Sequence, residues 1–180
     1  MATASFEQQQ TPNLAPVWLS TTVSLLVGFA FLTLWFWLLP PLLGFHMTTS
    51  DLGWRWIFAV PATLGFAVAL RCIWDFGHTG RGTPAPIAPP QKLVVVGFYR
   101  FVRNPMYVGF FAGWLSLWVI FGRASLAAVV SAGLVLALVQ LFVQFYEEPT
   151  LAAKFGPDYT DYCNHVPRWL PRVSPWSPPS

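Results

Sequence analysis

Tyr107 to Tyr146, YVGFFAGWLSLWVIFGRASLAAVVSAGLVLALVQLFVQFY, carries a single charged residue, Arg123, and it stands beside Gly122 between two apolar runs. A polar break that short turns the chain straight back, so the spacing predicts an antiparallel helical hairpin from Tyr107–Phe121 and Ala124–Tyr146. Working outward, Val17 to Leu39 is a further run of 23 residues without a charge, ending at Pro40-Pro41. As a helix it extends about 34 Å, more than the roughly 30 Å of a bilayer core. Trp54 to Phe76 is the remaining run, with Arg71 and Asp75 one helical turn apart near its end, where they can pair or reach the headgroups. The composition agrees: 55% of the 180 residues are hydrophobic and 9% charged, against about 25% charged in soluble domains. The fold class expected is all-α, an integral membrane bundle of four transmembrane helices with short C-terminal cytoplasmic helices.

Charge sets the orientation. No basic n-region or small-residue cleavage site marks a signal peptide, so the first run is read as a retained span. With the N-terminus cytoplasmic, the same side receives Arg71, Arg81, Lys92, Arg100, Arg103, Lys154, Arg168 and Arg172, and only Arg55 and Arg123 lie opposite. Eight against two places both termini in the cytoplasm. Four spans and small size fit a bacterial inner membrane. The expected organisation is a polar segment (1–16), the first two spans (17–76), a Gly/Pro-rich cytoplasmic loop and polar motif (77–104), the hairpin (105–146) and a cytoplasmic C-terminal segment (147–180). Within the loop, Gly77 to Pro90 is expected to be irregular. Glu147–Lys154 and Pro157–Val166 are expected as two short helices parted at Gly156-Pro157.

Several function classes fall away. The net charge of +3 is spread between apolar runs rather than gathered into a basic patch, which excludes nucleic acid as a partner. Cys72 and Cys163 form no disulfide framework or zinc pattern, His78 has no ligand at metal spacing, and His46 and His165 are isolated, so no metal is expected. There is no Gly-x-Gly-x-x-Gly, no phosphate-binding loop and no Ser/His/Asp arrangement. Polar chemistry collects instead in Gly97–Gly109, before and into the third run, and in Glu147-Glu148, after the fourth. The hairpin returns both clusters to one membrane depth, which brings Arg103 within reach of Glu147. Arg100 and Arg103 read most simply as positive-inside anchors, and Tyr99 and Tyr107 as interfacial aromatics. Two carboxylates at a helix C-terminus oppose the macrodipole and need a compensating partner, which favours a functional role for the glutamates.

LVVVGFYRFVRNPMYVG (93–109), followed beyond the hairpin by EEPTLAAKFGPDYTDYCNHVPRWLP (147–171), resembles the isoprenylcysteine carboxyl methyltransferase family, with the related phospholipid methyltransferases. The resemblance covers Pro84 to Pro171. It implies a methyltransferase dependent on S-adenosylmethionine, acting on a lipophilic small-molecule or lipid-modified substrate drawn from the membrane lipid. It nominates Gln91, Lys92, Leu93 and Val94 (largely through backbone), Tyr99, Asn104, Pro105, Met106, Tyr107 and Glu147 for the cofactor, and Arg103 and Glu148 as catalytic candidates. Arg103-Asn104-Pro105-Met106-Tyr107 departs from the family's Arg-His-Pro-x-Tyr motif at Asn104, and Val143 stands where eukaryotic members carry a substrate-contacting arginine. Two other readings remain open here. Tyr159-x-x-Tyr162-Cys163 with Val166-Pro167 also resembles the tail of membrane sterol reductases, which use a reduced nicotinamide, and a non-enzymatic scaffold would use the polar clusters for assembly alone.

Overall fold

The structure, a computed structural model, describes residues 15–38, 53–80, 90–122 and 126–178. Among them the secondary structure is entirely helical. Helix α1 (Ala15–Thr33) continues into a π-helical turn, Leu34–Leu38. A 3-10 turn, Trp54–Phe58, leads into α2 (Ala59–Asp75), which is extended by a π turn at Phe76–Gly80. The hairpin is α3 (Pro105–Ile120) and α4 (Leu126–Phe142). The π turn Val143–Glu147 joins α4 to α5 (Glu148–Phe155), and α6 (Pro157–His165) follows a break at Gly156.

Two of these helices, Trp54–Gly80 and Ala128–Phe155, are long and apolar enough to cross a membrane, while Leu25–Leu38 and Pro105–Ile120 are apolar but shorter. The expected end of the first span at Leu39 and Pro40-Pro41, the bulk of the Gly/Pro-rich loop with Arg81, and Arg123 in the hairpin turn lie outside the described residues.

Two expectations are corrected. Gly77–Gly80 does not open the irregular loop; the helix runs on through it as a π turn, and His78 stacks on Trp74 one turn back, with ring centroids 4.1 Å apart. Glu147 and Glu148 do not close a helix either. The chain stays helical to Phe155, so the pair sits at a wide turn in mid-helix and its partners are side chains rather than a helix terminus. Arg71 and Asp75 do pair, Nε to Oδ1 at 3.0 Å.

The tightest packing is between α2 and α3, and glycine makes it possible. Between helices in lipid there is little hydrophobic drive, so association depends on close backbone approach. Gly65 on α2 meets Gly109 and Gly113 on α3: a methyl group on Gly65 would strike the Gly109 carbonyl oxygen and lie 2.7 Å from the Gly113 nitrogen. Around α3's other faces the packing is aromatic. Phe36, Phe111 and Trp114 are buried with Ala132 of α4, flanked by Phe31, Trp35 and Trp118. Trp114 meets Trp35 and Trp118 edge-on at 5.4 and 5.7 Å, a geometry that suits ring quadrupoles.

Candidate functional site: a polar pocket at the end of the bundle

Several pieces of chain converge where α2 ends and α3 begins. Pro105 starts α3 at its first position, where a missing N–H is harmless, and it is fully buried. Before it, Gly97 adopts a positive φ of 55°, and its Cα is so close to the Asp75 carboxylate that a side chain there would collide with it. That turn delivers Tyr99, which is buried beside Cys72. Tyr162 of α6 donates to the Tyr99 carbonyl at 2.7 Å, tying α6 beneath the motif.

The segment after α6 is laid along the motif by backbone bonds. Arg103 N–H donates to the Pro167 carbonyl, Arg172 N–H to that of Phe101 and Trp176 N–H to that of Arg100, each at 2.9 Å. Arg100 Nε returns to the Trp176 carbonyl at 2.9 Å, and Asn104 Nδ2 donates to the Arg168 carbonyl at 3.3 Å. His165 stacks on Trp176 at 5.3 Å and so serves this fastening rather than a metal.

The pocket so framed is a depression that opens outward, with about 580 Å³ of empty space when its open mouth is included. Of the residues singled out in the sequence, Leu93, Val94, Tyr99, Arg103, Asn104, Met106, Tyr107, Glu147 and Glu148 line it. Gln91 and Lys92 are exposed and do not; their N–H groups point to the Gly80 carbonyl, at 2.7 and 3.4 Å. Pro105 is packed behind the wall. Sequence reasoning missed Phe76, Pro90, Leu151 and Phe155 in the lining, and named Tyr159 and Tyr162 only for a different enzyme class. Leu151 lies inside the expected Glu147–Lys154 helix and Phe155 one residue beyond it, and since both follow Glu147 at intervals of four their shared face was legible.

The two glutamates are held differently. Glu147 Oε2 accepts from the Tyr107 hydroxyl at 3.2 Å, and no cation of the described residues is in ion-pair contact with it. Glu148 faces two guanidiniums. Arg103 Nη1 lies 3.0 Å from Oε1, and Arg168 grips both oxygens at 2.8 and 2.7 Å. Arg103 therefore meets Glu148, not the Glu147 that the hairpin geometry suggested. Its Nη1 also contacts Cys163 Sγ at 2.8 Å, while its Nε is buried without an acceptor. Burial pushes the Tyr99, Tyr159 and Tyr162 phenols up, so all three remain neutral at physiological pH. Val143, where the resemblance expects an arginine, is fully buried and apolar. Among the described residues no cluster of ligands suits a metal ion.

Among the described residues, helices throughout, apolar along their length and with a polar pocket at their end, suit a membrane-associated helical protein. The chain belongs to the phospholipid methyltransferase family, whose pattern it matches over residues 55–158, more than half its length. That family includes the isoprenylcysteine carboxyl methyltransferases and implies a membrane methyltransferase. No curated protein and no solved structure matches the chain.

Proposed function

We propose that this protein transfers a methyl group from S-adenosylmethionine to a lipophilic acceptor, a prenylcysteine-like carboxylate or a lipid headgroup, at the cytoplasmic end of a four-span bundle with both termini in the cytoplasm, in a bacterial inner membrane. The observation that carries the reading is the pairing of charges in the pocket. Glu147 is a carboxylate that no cation of the described residues contacts, and Arg103 is a guanidinium with a buried N–H in want of an acceptor.

The residues present fit such a cofactor. Glu147 would hold the ribose hydroxyls or the amino group, Arg103 the methionine carboxylate, and Phe76, Tyr107 and Phe155 the adenine or the cation. When bound, the cofactor supplies an already activated methyl group on a sulfonium. The protein's part is alignment and exclusion of water, for which no catalytic triad is required. Both Glu148 oxygens are engaged by guanidiniums, so Glu148 supports the site by holding arginines rather than by receiving a proton from the acceptor. A carboxylate acceptor needs no such proton transfer, whereas an amine acceptor does, and Glu147 is the pocket carboxylate open to that task.

The test is calorimetric titration of S-adenosylmethionine, and separately NADPH, into detergent-purified protein. Saturable binding of the first is expected. Tyr107→Phe, which removes the hydroxyl that steadies Glu147, should weaken it by roughly three- to tenfold, the worth of one hydrogen bond. Binding of NADPH alone would replace this reading with the reductase, and binding of neither to folded protein would leave the scaffold.

A further inference from the structure

Arg168 does not line the pocket, yet its guanidinium takes Glu148 with both arms. Glu148 is also the ion-pair partner of Arg103, so two cations face one anion and the trio carries a formal charge of +1. Of the two arginines only Arg103 borders the pocket, and only it has a buried N–H without an acceptor. The relative position of the two is fixed by backbone: Arg103 N–H bonds to Pro167, and the neighbouring Asn104 side chain bonds to the Arg168 carbonyl.

Without Arg168, Glu148 would rest on Arg103 alone, and that pair would be electrically closed. The pocket would then offer no surplus positive charge to an anion. With Arg168 in place the surplus remains, and it is expressed at the one guanidinium that can reach a ligand. We infer that Arg168 is a positioning residue that neutralises Glu148 and thereby leaves Arg103 to bind the α-carboxylate of the methyl donor. The inference rests on the methyltransferase reading and adds to it the residue that sets donor recognition from outside the pocket.

Two ligands test it on the full-length protein in detergent: S-adenosylmethionine, and its decarboxylated form, which keeps the sulfonium and the amino group but lacks the carboxylate. In Arg168→Ala the first should bind about tenfold more weakly, one charge-assisted contact, while the second stays within about twofold of wild type. Adding Glu148→Gln to Arg168→Ala should restore binding of the intact donor, because Arg103 is then released, and Arg168→Lys should fall between. Equal loss for both ligands, no loss, or a double variant no better than the single one would each overturn the inference and leave Arg168 a fastening of the C-terminal segment. Should Arg168→Ala fail to fold, the same contrast between the two ligands is read from Arg168→Lys. Wild type that binds neither ligand sinks the methyltransferase reading itself, an outcome distinct from wild type that binds both with no effect of Arg168.

Discussion

Gly65→Val is expected to abolish the native bundle. The β-carbon would collide with the Gly109 carbonyl oxygen and crowd the Gly113 backbone, atoms that cannot rotate out of the way. Relief requires α2 and α3 to separate along their whole contact, which also pulls apart the Gly109 approach, where the Gly65 oxygen and Val68 stand 2.6 and 3.0 Å from a hypothetical methyl. Overpacking alone costs about 1–3 kcal/mol. Here it is compounded by lost helix contact, and a total of about 4 kcal/mol or more is a large part of the roughly 5–15 kcal/mol that holds a typical domain. Thermal unfolding in detergent with size-exclusion profiles measures this. The matched controls are Gly28→Ala and Gly133→Ala, whose methyl groups meet nothing within 4 Å. A Gly65→Val protein that elutes and melts like those controls would show that the close contact carries no weight.

Glu147→Ala should cause the largest loss of donor binding with the fold intact. The carboxylate contributes to the pocket and takes one hydrogen bond, from Tyr107, so its removal leaves that hydroxyl unpaired but breaks no ion pair. A hydrogen bond to a charged group is worth about 1.5–3 kcal/mol, which corresponds to roughly 10- to 100-fold in affinity. Glu147→Gln separates charge from hydrogen bonding, because its amide oxygen still accepts from Tyr107. If the carboxylate serves the amino group or the sulfonium, Gln is nearly as poor as Ala; if it serves ribose hydroxyls, Gln recovers much of the affinity. Titration with S-adenosylmethionine alongside melting curves reads all three proteins. Unchanged affinity in Glu147→Ala would remove this residue from the site.

The sequence spoke clearly where one residue type has one physical meaning. Apolar runs had to be helices, the short polar break predicted that the third run folds back on the fourth, and Tyr107 does meet Glu147 in a hydrogen bond. Arg103, Asn104 and Tyr107 were legible because charged and hydrogen-bonding groups at the end of an apolar run need a reason to be there. What was not legible depended on contacts across long separations. Nothing in the local pattern says that Arg168 faces Glu148, or that Arg103 prefers Glu148 to Glu147. The π turn at Val143–Glu147 was hidden too, because its residues read as an ordinary span ending at Tyr146, followed by a separate short helix from Glu147. Pro149, at the second residue of α5, fits the first turn of a helix, so the two pieces join without a break. Tyr159 and Tyr162 were noticed for their spacing but not for their place, since only the turn at Gly156, with φ of 54°, folds α6 back under the motif.

The backbone ties between residues 100–103 and 167–176 set an order of events during synthesis. Trp176 follows Arg100 by 76 residues, with the whole hairpin between them. A nascent chain can therefore insert its apolar helices and form the glycine contact while the rim of the pocket is still being translated. Of the features described, the rim of the pocket forms last, completed only when the stretch after His165 has emerged from the ribosome and come back to the motif. A reporter or affinity tag placed close behind Trp176 would bear on that final step, whereas one at the N-terminus would not.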